Sequence, residues 1–294
     1  MELQDRFAEL KAQGIGVAAI SYDSQEALAA FAERRGIADA PLLSDADSAV
    51  IRAFGIYNHV AEEGLGPNGD DPQVKADVAQ YVAVMGARKM IVGTPFPGTF
   101  VVDCEARVKA RFFEPFYRER NAAANIMLKL GAPLAGVAVS STETAHLRIA
   151  ASQSNPNVTP GSRCHLSLEI TPKPNIHVYA PGAEQLGYQV IALNIETPEL
   201  VQILPFDYPP SELHRFESLD EQAPVYQRPF RLTQEIVVGA TEDAVAQLAA
   251  LDSVTLEGRL DYQACDKVCF DPVSVPLSWK LTIAPLDRQR ARPE

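Results

Sequence analysis

The sequence predicts two domains of different class, an α/β domain followed by an all-β domain. Up to about residue 131, short apolar strands alternate with segments whose apolar residues recur every three or four positions, as in helices that pack on a sheet. From about residue 145, apolar and polar residues alternate with a period of two, and Pro or Gly separates the runs, as in a β-sandwich. A length of 294 residues fits two such domains.

Capping and turn residues delimit the elements of the first half. Asp23 or Ser24 can accept a hydrogen bond at the start of a helix that ends at Gly36. Short apolar strands over 15–21 and 42–43 flank this helix. Five further elements are expected, namely an opening helix through Leu3, Phe7 and Leu10, a helix through Val74, Val78, Tyr81 and Val82, a pair of strands over 99–103 and 108–113, and a final helix over 116–130.

The strands of the second half follow from alternation. In the run 164–171, Cys164 and Leu166 alternate with His165 and Ser167, which predicts one buried and one exposed face. The stretch 133–144 is rich in small and Ser/Thr residues and is expected to join the two domains. We therefore expect domains at 1–134 and 145–286. Other strand candidates are 176–179, 188–195, 232–238, 254–262 and 274–283.

Composition and charge exclude several classes of function. A net charge of -12 argues against binding to nucleic acid or to an anionic membrane surface. No apolar run approaches the roughly 18 residues of a membrane span. Four cysteines are too few for a disulfide-dense scaffold, and no second Cys-rich pair is present to complete a zinc site. The sequence implies no metal and no dissociable cofactor, and it leaves the oligomeric state open.

The chemistry of the chain concentrates at Cys265 and Cys269, which three residues separate. A disulfide needs Cα atoms within roughly 7 Å, whereas residues i and i+4 of an extended strand lie roughly 13 Å apart. The segment 266–268 must therefore turn if the two thiols are to bridge, and such a small ring is expected to exchange readily. An inert structural disulfide and a pair of permanently reduced thiols stay open as alternatives. Cys104 and Cys164 are interpreted as an incidental thiol in a turn and a core residue.

Three segments of the first half resemble the AhpC/TSA branch of the peroxiredoxins, a thioredoxin-fold family: 16–23, 41–45 and 97–103. The last resembles the family's Pro-x-Thr-Phe strand, whose proline is cis, so the resemblance makes Pro97 a cis candidate. Families of this fold place their reactive cysteine at the N-terminus of a helix that follows a first strand. The resemblance, over 1–131, includes neither that strand nor that cysteine. A truncated chain and a degenerate domain both explain this, and the exposed sheet edge favours truncation.

The second half resembles the N-terminal domain of the thiol:disulfide interchange protein DsbD, an immunoglobulin-like sandwich that passes electrons through one cysteine pair. The matching segments are 177–179, 220–221, 225–226 and 262–272. The resemblance implies that Cys265 and Cys269 are the redox pair and that their partner is a thioredoxin-like protein. It also implies a set of flanking residues, in which the acidic pair raises the thiol pKa by repelling the thiolate: Tyr179, Asp220, Glu221, Tyr262 and Phe270. The chain departs from the family in its shorter cysteine spacing and in Gln222-Ala223-Pro224, which replaces an aromatic cap.

Together the resemblances imply thiol-disulfide electron transfer through the C-terminal cysteine pair, in a thiol-disulfide oxidoreductase or a peroxiredoxin-like antioxidant protein. A non-catalytic protein-binding module on a thioredoxin-like scaffold stays open, as does a peroxidase whose active cysteine lies upstream of Met1. Replacing Cys265 is expected to abolish mixed-disulfide trapping. The N-terminus has no signal-peptide core and predicts a cytoplasmic chain, whereas the sandwich resemblance predicts the periplasm, and N-terminal truncation would reconcile the two.

Overall fold

The computed structural model describes residues 4, 6–85, 92–113, 120–121, 123–129, 137–196, 198–206, 208–216, 220–239 and 241–285. The chain divides into two compact units, one of residues 1–123 with 286–294 and one of residues 124–285. The boundary expected from the sequence lay further along the chain, between 134 and 145. None of the described helices is long and apolar enough to cross a membrane.

The first unit begins with a strand-helix-strand arrangement. Strands β1 (Ala19–Ser21) and β2 (Leu42–Ser44) are parallel, and helix α2 (Gln25–Arg35) connects them. The side chain of Ser24 accepts a hydrogen bond from the backbone N–H of Ala27, and Gly36 ends the helix with a φ of 62°. These observations confirm the predicted capping residues. The other helices of this unit are α1 (Phe7–Ala12), α3 (Ala49–Ala53), α4 (His59–Gly64) and α5 (Pro72–Met85).

A hairpin follows these helices. Strands β3 (Gly98–Val102) and β4 (Val108–Phe113) are antiparallel, as the sequence predicts. The turn between them is held by Asp103, whose Oδ1 accepts hydrogen bonds from the backbone N–H groups of Glu105 and Arg107 at 3.0 and 2.9 Å. Cys104 lies exposed in this turn.

The interpretation of Pro97 as a cis residue is wrong, because the described residues include no cis peptide bond. The backbone N–H of Phe96 donates to the carbonyl of Ile56 at 2.7 Å, and Tyr57 forms a β-bridge with Pro95. These contacts hold the chain extended as it enters β3. An extended entry needs no cis bond, and the trans isomer is favoured at proline by about 0.5–1 kcal/mol.

The second unit is a β-sandwich. Its largest sheet has strand order β12-β15-β9-β7-β6, and the sheet formed by β11-β16-β18-β8 supplies the facing layer. Buried side chains between the layers form one apolar core around Trp279, which is fully buried. The strands of these two sheets are β6 (Val137–Glu143), β7 (Leu147–Gln153), β8 (Asn157–Val158), β9 (Ser162–Pro172), β11 (Ala192–Ile195), β12 (Val201–Ile203), β15 (Phe230–Val238), β16 (Ser253–Tyr262) and β18 (Val273–Ile283).

A third, four-stranded sheet has the order β13-β14-β10-β17. Its strands are β10 (His177–Tyr179), β13 (Glu212–Phe216), β14 (Glu221–Tyr226) and β17 (Ala264–Cys265). A 3₁₀-helix (Ala183–Leu186) follows β10, and helix α7 (Glu242–Leu248) begins at Thr241, whose side chain accepts from the N–H of Ala244. This small sheet carries the cysteine pair.

Two sequence-based assignments near residue 130 are wrong in detail. The stretch 133–144, interpreted as a joint, contains strand β6, which pairs with β7 along its length and has a register shift between Ala138 and Ser140. The helix expected over 116–130 is shorter among the described residues, because a short strand β5 (Arg120–Asn121) precedes helix α6 (Ala123–Lys129). Small Ser and Thr side chains are compatible with an edge strand, which composition alone does not distinguish from a linker.

Candidate redox site

Strand register puts the cysteines and several aromatic side chains on one face of the small sheet. Cys265 lies opposite His177, and Tyr179 lies opposite Val225 in the next strand. Because alternate residues of a strand share a face, His177 and Tyr179 point to the same side as Cys265. The side chains on the opposite face of this sheet pack into the main core. We call the first face the cysteine face, and its members are Cys265, His177, Tyr179, Val225, Ala223, Glu221, Glu212, His214 and Phe216.

The chain reverses between the two cysteines. The backbone N–H of Asp266 donates to the carbonyl of Val268 at 3.1 Å, and that of Phe270 donates to the carbonyl of Ala264 at 2.9 Å. A side-chain hydrogen bond also joins the two ends of the loop, because Nε2 of Gln263 donates to the carbonyl of Phe270 at 3.0 Å. The turn brings the two Sγ atoms to 3.8 Å from each other, as free thiols.

The two thiols have different environments. Cys265 is only 1% exposed, whereas Cys269 is exposed. Burial raises the pKa of the Cys265 thiol to about 11, and its Sγ donates to the carbonyl of Asp266 at 3.5 Å. Cys265 is therefore a protonated, shielded thiol, and the expectation that it meets a partner does not agree with this burial. The exposed cysteine of the pair is Cys269.

Tyr179 is the aromatic residue closest to this chemistry. Its ring is fully buried and stacks on Tyr188, with centroids 4.0 Å apart and planes within 5° of parallel. Its hydroxyl lies 3.2 Å from the Sγ of Cys269. Burial raises the pKa of Tyr179 far above its usual value, so the hydroxyl keeps its proton. It can therefore donate a hydrogen bond to a thiolate on Cys269.

The two acidic residues that the sequence assigned to the site have separate positions. Asp220 has a side chain 86% exposed, a φ of 50°, and an ion pair with Arg215 at 2.8 Å. Glu221 is half-buried, and its Oε1 has no hydrogen-bond partner in the described part of the chain. Burial raises the pKa of Tyr188, and the nearby carboxylate of Glu221 raises it further. Of the acidic pair, Glu221 is the residue next to the aromatic cluster.

The remaining two predicted residues support the loop from the core side. Tyr262 is fully buried in the main core, and its hydroxyl lies 2.8 Å from Oγ1 of Thr144. Phe270 packs against the same core and stacks on His146 with ring centroids 4.5 Å apart. Phe270 thus fixes the end of the cysteine loop by packing and by its backbone hydrogen bond to Ala264.

Sequence reasoning missed several residues of the site. Tyr188 stacks on Tyr179, and Phe216 belongs to the same small cluster of buried residues as Tyr179 and Cys265. His214 packs on His177 with ring centroids 3.9 Å apart. The alternation of Glu212–Phe216 was the available signal, because it places His214 and Phe216 on one face.

The other two cysteines are not members of the cysteine face. Cys164 is 1% exposed in the main core, and Cys104 is in the β3–β4 turn of the first unit. Among the residues that the structure describes, no cluster of three or more His, Cys, Asp or Glu side chains could hold a metal ion.

Comparison with known families agrees with this architecture. Residues 1–111 match the AhpC/TSA family, and residues 147–275 match the family of the thiol:disulfide interchange protein DsbD, N-terminal. The chain therefore carries a thioredoxin-like AhpC/TSA domain followed by a DsbD N-terminal domain, an immunoglobulin-like β-sandwich. This confirms the fold class and the families that the sequence predicted. The two domains together support a thiol-disulfide redox function in general.

Solved structures show distant likenesses. The N-terminal periplasmic domain of ScsB from Proteus mirabilis is 16% identical, with 49% of this chain and 49% of that chain covered and a TM-score of 0.32. This chain thus spans about half the length of that structure. The reduced DsbD N-terminal domain from Neisseria meningitidis is 14% identical, with 40% and 82% covered and a TM-score of 0.26. The GAE domain of GGA2p from Saccharomyces cerevisiae is 9% identical, with 50% and 97% covered and a TM-score of 0.29. No curated protein matches the chain.

Proposed function

We propose that Cys265 and Cys269 cycle between a dithiol and a disulfide and exchange electrons with a thioredoxin-like protein. The observation that carries this proposal is the 3.8 Å separation of the two Sγ atoms, with one cysteine exposed and the other buried. An exposed thiol can meet a partner, and a second thiol within reach can then resolve the mixed disulfide. A structural disulfide would need neither the exposure of Cys269 nor the hydroxyl of Tyr179 beside it.

The exchange is a two-electron reaction. In one direction, the thiolate of Cys269 attacks a sulfur of the partner's disulfide, which forms a mixed disulfide and releases one partner thiolate. The thiolate of Cys265 then attacks the Sγ of Cys269, which closes the Cys265–Cys269 bond and releases the second partner thiolate. Two electrons pass to the partner, and two protons leave the cysteine pair. The reverse sequence oxidises the partner's dithiol.

The proposal assigns different roles to the two sulfurs. Cys269 forms the mixed disulfide, because it is exposed and the hydroxyl of Tyr179 stabilises its thiolate. Cys265 is the resolving residue, because a buried thiol with a pKa of about 11 is a poor nucleophile until the mixed disulfide has formed beside it. Val268, 66% exposed at the tip of the loop, offers an apolar contact to the partner.

Equilibration in glutathione redox buffers tests the exchange. The full chain with Cys104→Ser should titrate reversibly between a form with three free thiols and a form with one, because Cys164 stays buried in the core. Intact mass after acid quenching and alkylation counts these thiols. A pair that stays reduced, or stays oxidised, across all buffers would contradict the proposal and favour a non-catalytic binding module.

Trapping with oxidised glutathione tests the roles. The Cys265→Ser variant should accumulate a mixed disulfide on Cys269, since no resolving thiol remains. The Cys269→Ser variant should form much less adduct, because Cys265 is buried. Cys164→Ser is the matched control, as it removes another buried cysteine away from the loop and should leave exchange unchanged. The opposite ranking of the two serine variants would reverse the roles.

A further inference from the structure

Two histidine side chains pack together on the cysteine face. The rings of His177 and His214 have centroids 3.9 Å apart and planes tilted by 39°. His177 lies opposite Cys265 in the strand register, and its Nδ1 lies 3.4 Å from the backbone carbonyl of Cys265. His214 also packs edge-on against Phe216, at 4.6 Å. An imidazole pair therefore adjoins the strand that carries the buried thiol, and the redox function as proposed does not yet use it.

Near this pair, the acidic side chains of Glu212 and Asp266 each lie next to a basic residue. Glu212, on the strand of His214, accepts hydrogen bonds from Arg228 at 2.7 Å and from Gln227 at 2.9 Å. Asp266 and Lys267 follow Cys265 in the loop and line the same cleft of about 830 Å³ as His177. Glu221 lies opposite Phe216 on this face as a further carboxylate, and Tyr179 and Cys265 keep their protons at pH 7, because burial raises each pKa. A proton on an imidazole is thus the charge that changes near neutral pH.

The pair should take up one proton well before a second. Burial lowers the pKa of His214, and the charge of His177 lowers it further. Two imidazolium rings 3.9 Å apart would repel each other, so their titrations are coupled. His177 lines the open cleft, and His214 is only half-buried, so both rings can exchange protons with solvent. A single proton on the pair would therefore put one positive charge beside the strand that carries Cys265.

Such a charge would solve a difficulty in the exchange. When a partner thiolate attacks the Sγ of Cys269 in the disulfide form, the sulfur that leaves is that of Cys265. A leaving thiol of high pKa slows exchange, and burial raises the pKa of this thiol to about 11. Burial raises the pKa of Cys265 more than a hydrogen bond with the Tyr179 hydroxyl lowers it, and that hydroxyl also lies 3.2 Å from the Sγ of Cys269. The negative charge of Asp266 also raises this pKa, so a positive group near Cys265 would add stabilisation of the thiolate that the tyrosine does not supply.

We propose that the His177–His214 pair is a positioning pair that carries one proton and stabilises the Cys265 thiolate released when a partner attacks Cys269. The inference rests on the proposed exchange function. In this step the partner sulfur bonds to the Sγ of Cys269, the Cys265–Cys269 bond breaks, and its electron pair stays on Cys265. The imidazolium keeps its proton, and the thiolate then takes a proton from solvent or attacks the mixed disulfide. The pair acts through charge and through the backbone contact of His177, not as an acid at the reacting sulfur.

Reduction kinetics of the oxidised full chain test the inference. Dithiothreitol is the probe, and the rate constant is divided by the concentration of its thiolate at each pH from 5 to 8. In the wild-type chain this corrected constant should rise about three- to ten-fold as the pH falls through the imidazole range, because the leaving group improves. In the His177→Gln/His214→Gln variant it should stay flat. His146→Gln is the matched control, since His146 stacks on Phe270 and not beside Cys265, and it should keep the rise.

The outcomes separate this inference from the function on which it rests. A disulfide that dithiothreitol does not reduce at any pH would overturn the exchange function itself. A disulfide that is reduced with a flat corrected profile in the wild-type chain, or with the same rise in the double variant, overturns only the histidine pair. His177→Phe keeps an aromatic ring against His214 and replaces the double variant if that variant unfolds. It should lose most of the rise, and a full rise in it also overturns the inference.

Discussion

The hydroxyl of Tyr179 lies 3.2 Å from the Sγ of Cys269, although the ring of this tyrosine is fully buried. The sheet makes this possible, because Tyr179 is two residues from His177, and His177 is directly opposite Cys265. The hydroxyl therefore reaches past the buried cysteine to the exposed one. Stacking on Tyr188 fixes the ring, so the donor is already in place before a thiolate forms.

Replacement of Tyr179 by Phe should slow the reaction of Cys269 with iodoacetamide at pH 7.5. The variant keeps the stacked ring and removes only the donor to the thiolate. A hydrogen bond to a charged group contributes about 1.5–3 kcal/mol, so we expect a reduction of about ten-fold or more in the alkylation rate, measured by mass spectrometry. Tyr226→Phe is the matched control, because its hydroxyl donates to the carbonyl of Pro209 instead. Equal rates in all three chains would show that the Tyr179 contact has no effect on reactivity.

Glu221 and Asp220 should differ in their effect on the same thiol. The carboxylate of Glu221 lies beside Tyr188, and so does Cys269, since both raise the pKa of that tyrosine. Removing its negative charge by Glu221→Gln should favour the thiolate and raise the alkylation rate of Cys269 by about two- to three-fold. Asp220→Asn should leave the rate unchanged, because this exposed carboxylate pairs with Arg215. An equal effect of the two variants would mean that both acidic residues act on the thiol, as the sequence predicted.

The sequence predicted the strands of the sandwich well but not what covers them. Period-two alternation over 164–171 predicted a polar, exposed face, yet His165 and Ser167 are buried. His165 lies opposite Glu235, and the Oε1 of Glu235 accepts a hydrogen bond from Asn125 of helix α6. The helix expected to end the first domain thus contacts this face of the sandwich sheet through Asn125. Local periodicity predicts that a segment is a strand, but it does not predict which distant part of the chain packs against that strand.

The sequence predicted those residues of the candidate site that lie in short segments resembling a known family. Cys265, Cys269 and Tyr179 follow from the family resemblance and lie together. His214 and Tyr188 could not be predicted in the same way, because their place depends on which strands pair and on the loop after the 3₁₀-helix. Register between distant strands is a tertiary property, and a shift of one residue would turn His214 away from His177.

The chain as given should lack appreciable peroxidase activity. Its one cysteine within residues 1–123 is Cys104, which lies exposed in the β3–β4 turn. A peroxidatic cysteine needs a stabilised thiolate, for which a helix N-terminus or a nearby base is the usual cause, and Cys104 follows Asp103 and precedes Glu105 instead. Hydrogen peroxide consumption coupled to dithiothreitol should match a no-protein blank. Rapid consumption that disappears in Cys104→Ser would show that the turn has an unrecognised activity.

The sandwich should lose stability as the pH falls below about 6.5. Burial lowers the pKa of His146, with Lys173 contributing, and burial and His177 lower that of His214. In the unfolded chain both side chains return to the ordinary value near 6.5, so the unfolded state binds more protons between pH 6.5 and the lower folded-state pKa values. Stability is therefore fully present above pH 6.5 and decreases on acidification through that window.

Urea unfolding followed by the fluorescence of Trp279, the one tryptophan of the chain, measures this loss in the sandwich. The free energy of unfolding should fall between pH 7 and pH 5 in the wild-type chain, and His146→Gln should reduce the slope because one of the two depressed groups is gone. Carboxylates do not obscure this window, because those with perturbed values, such as Glu143 and Asp261, have a lowered pKa and titrate at more acidic pH. An unchanged slope in the variant would mean that His146 is free to take up its proton in the folded state.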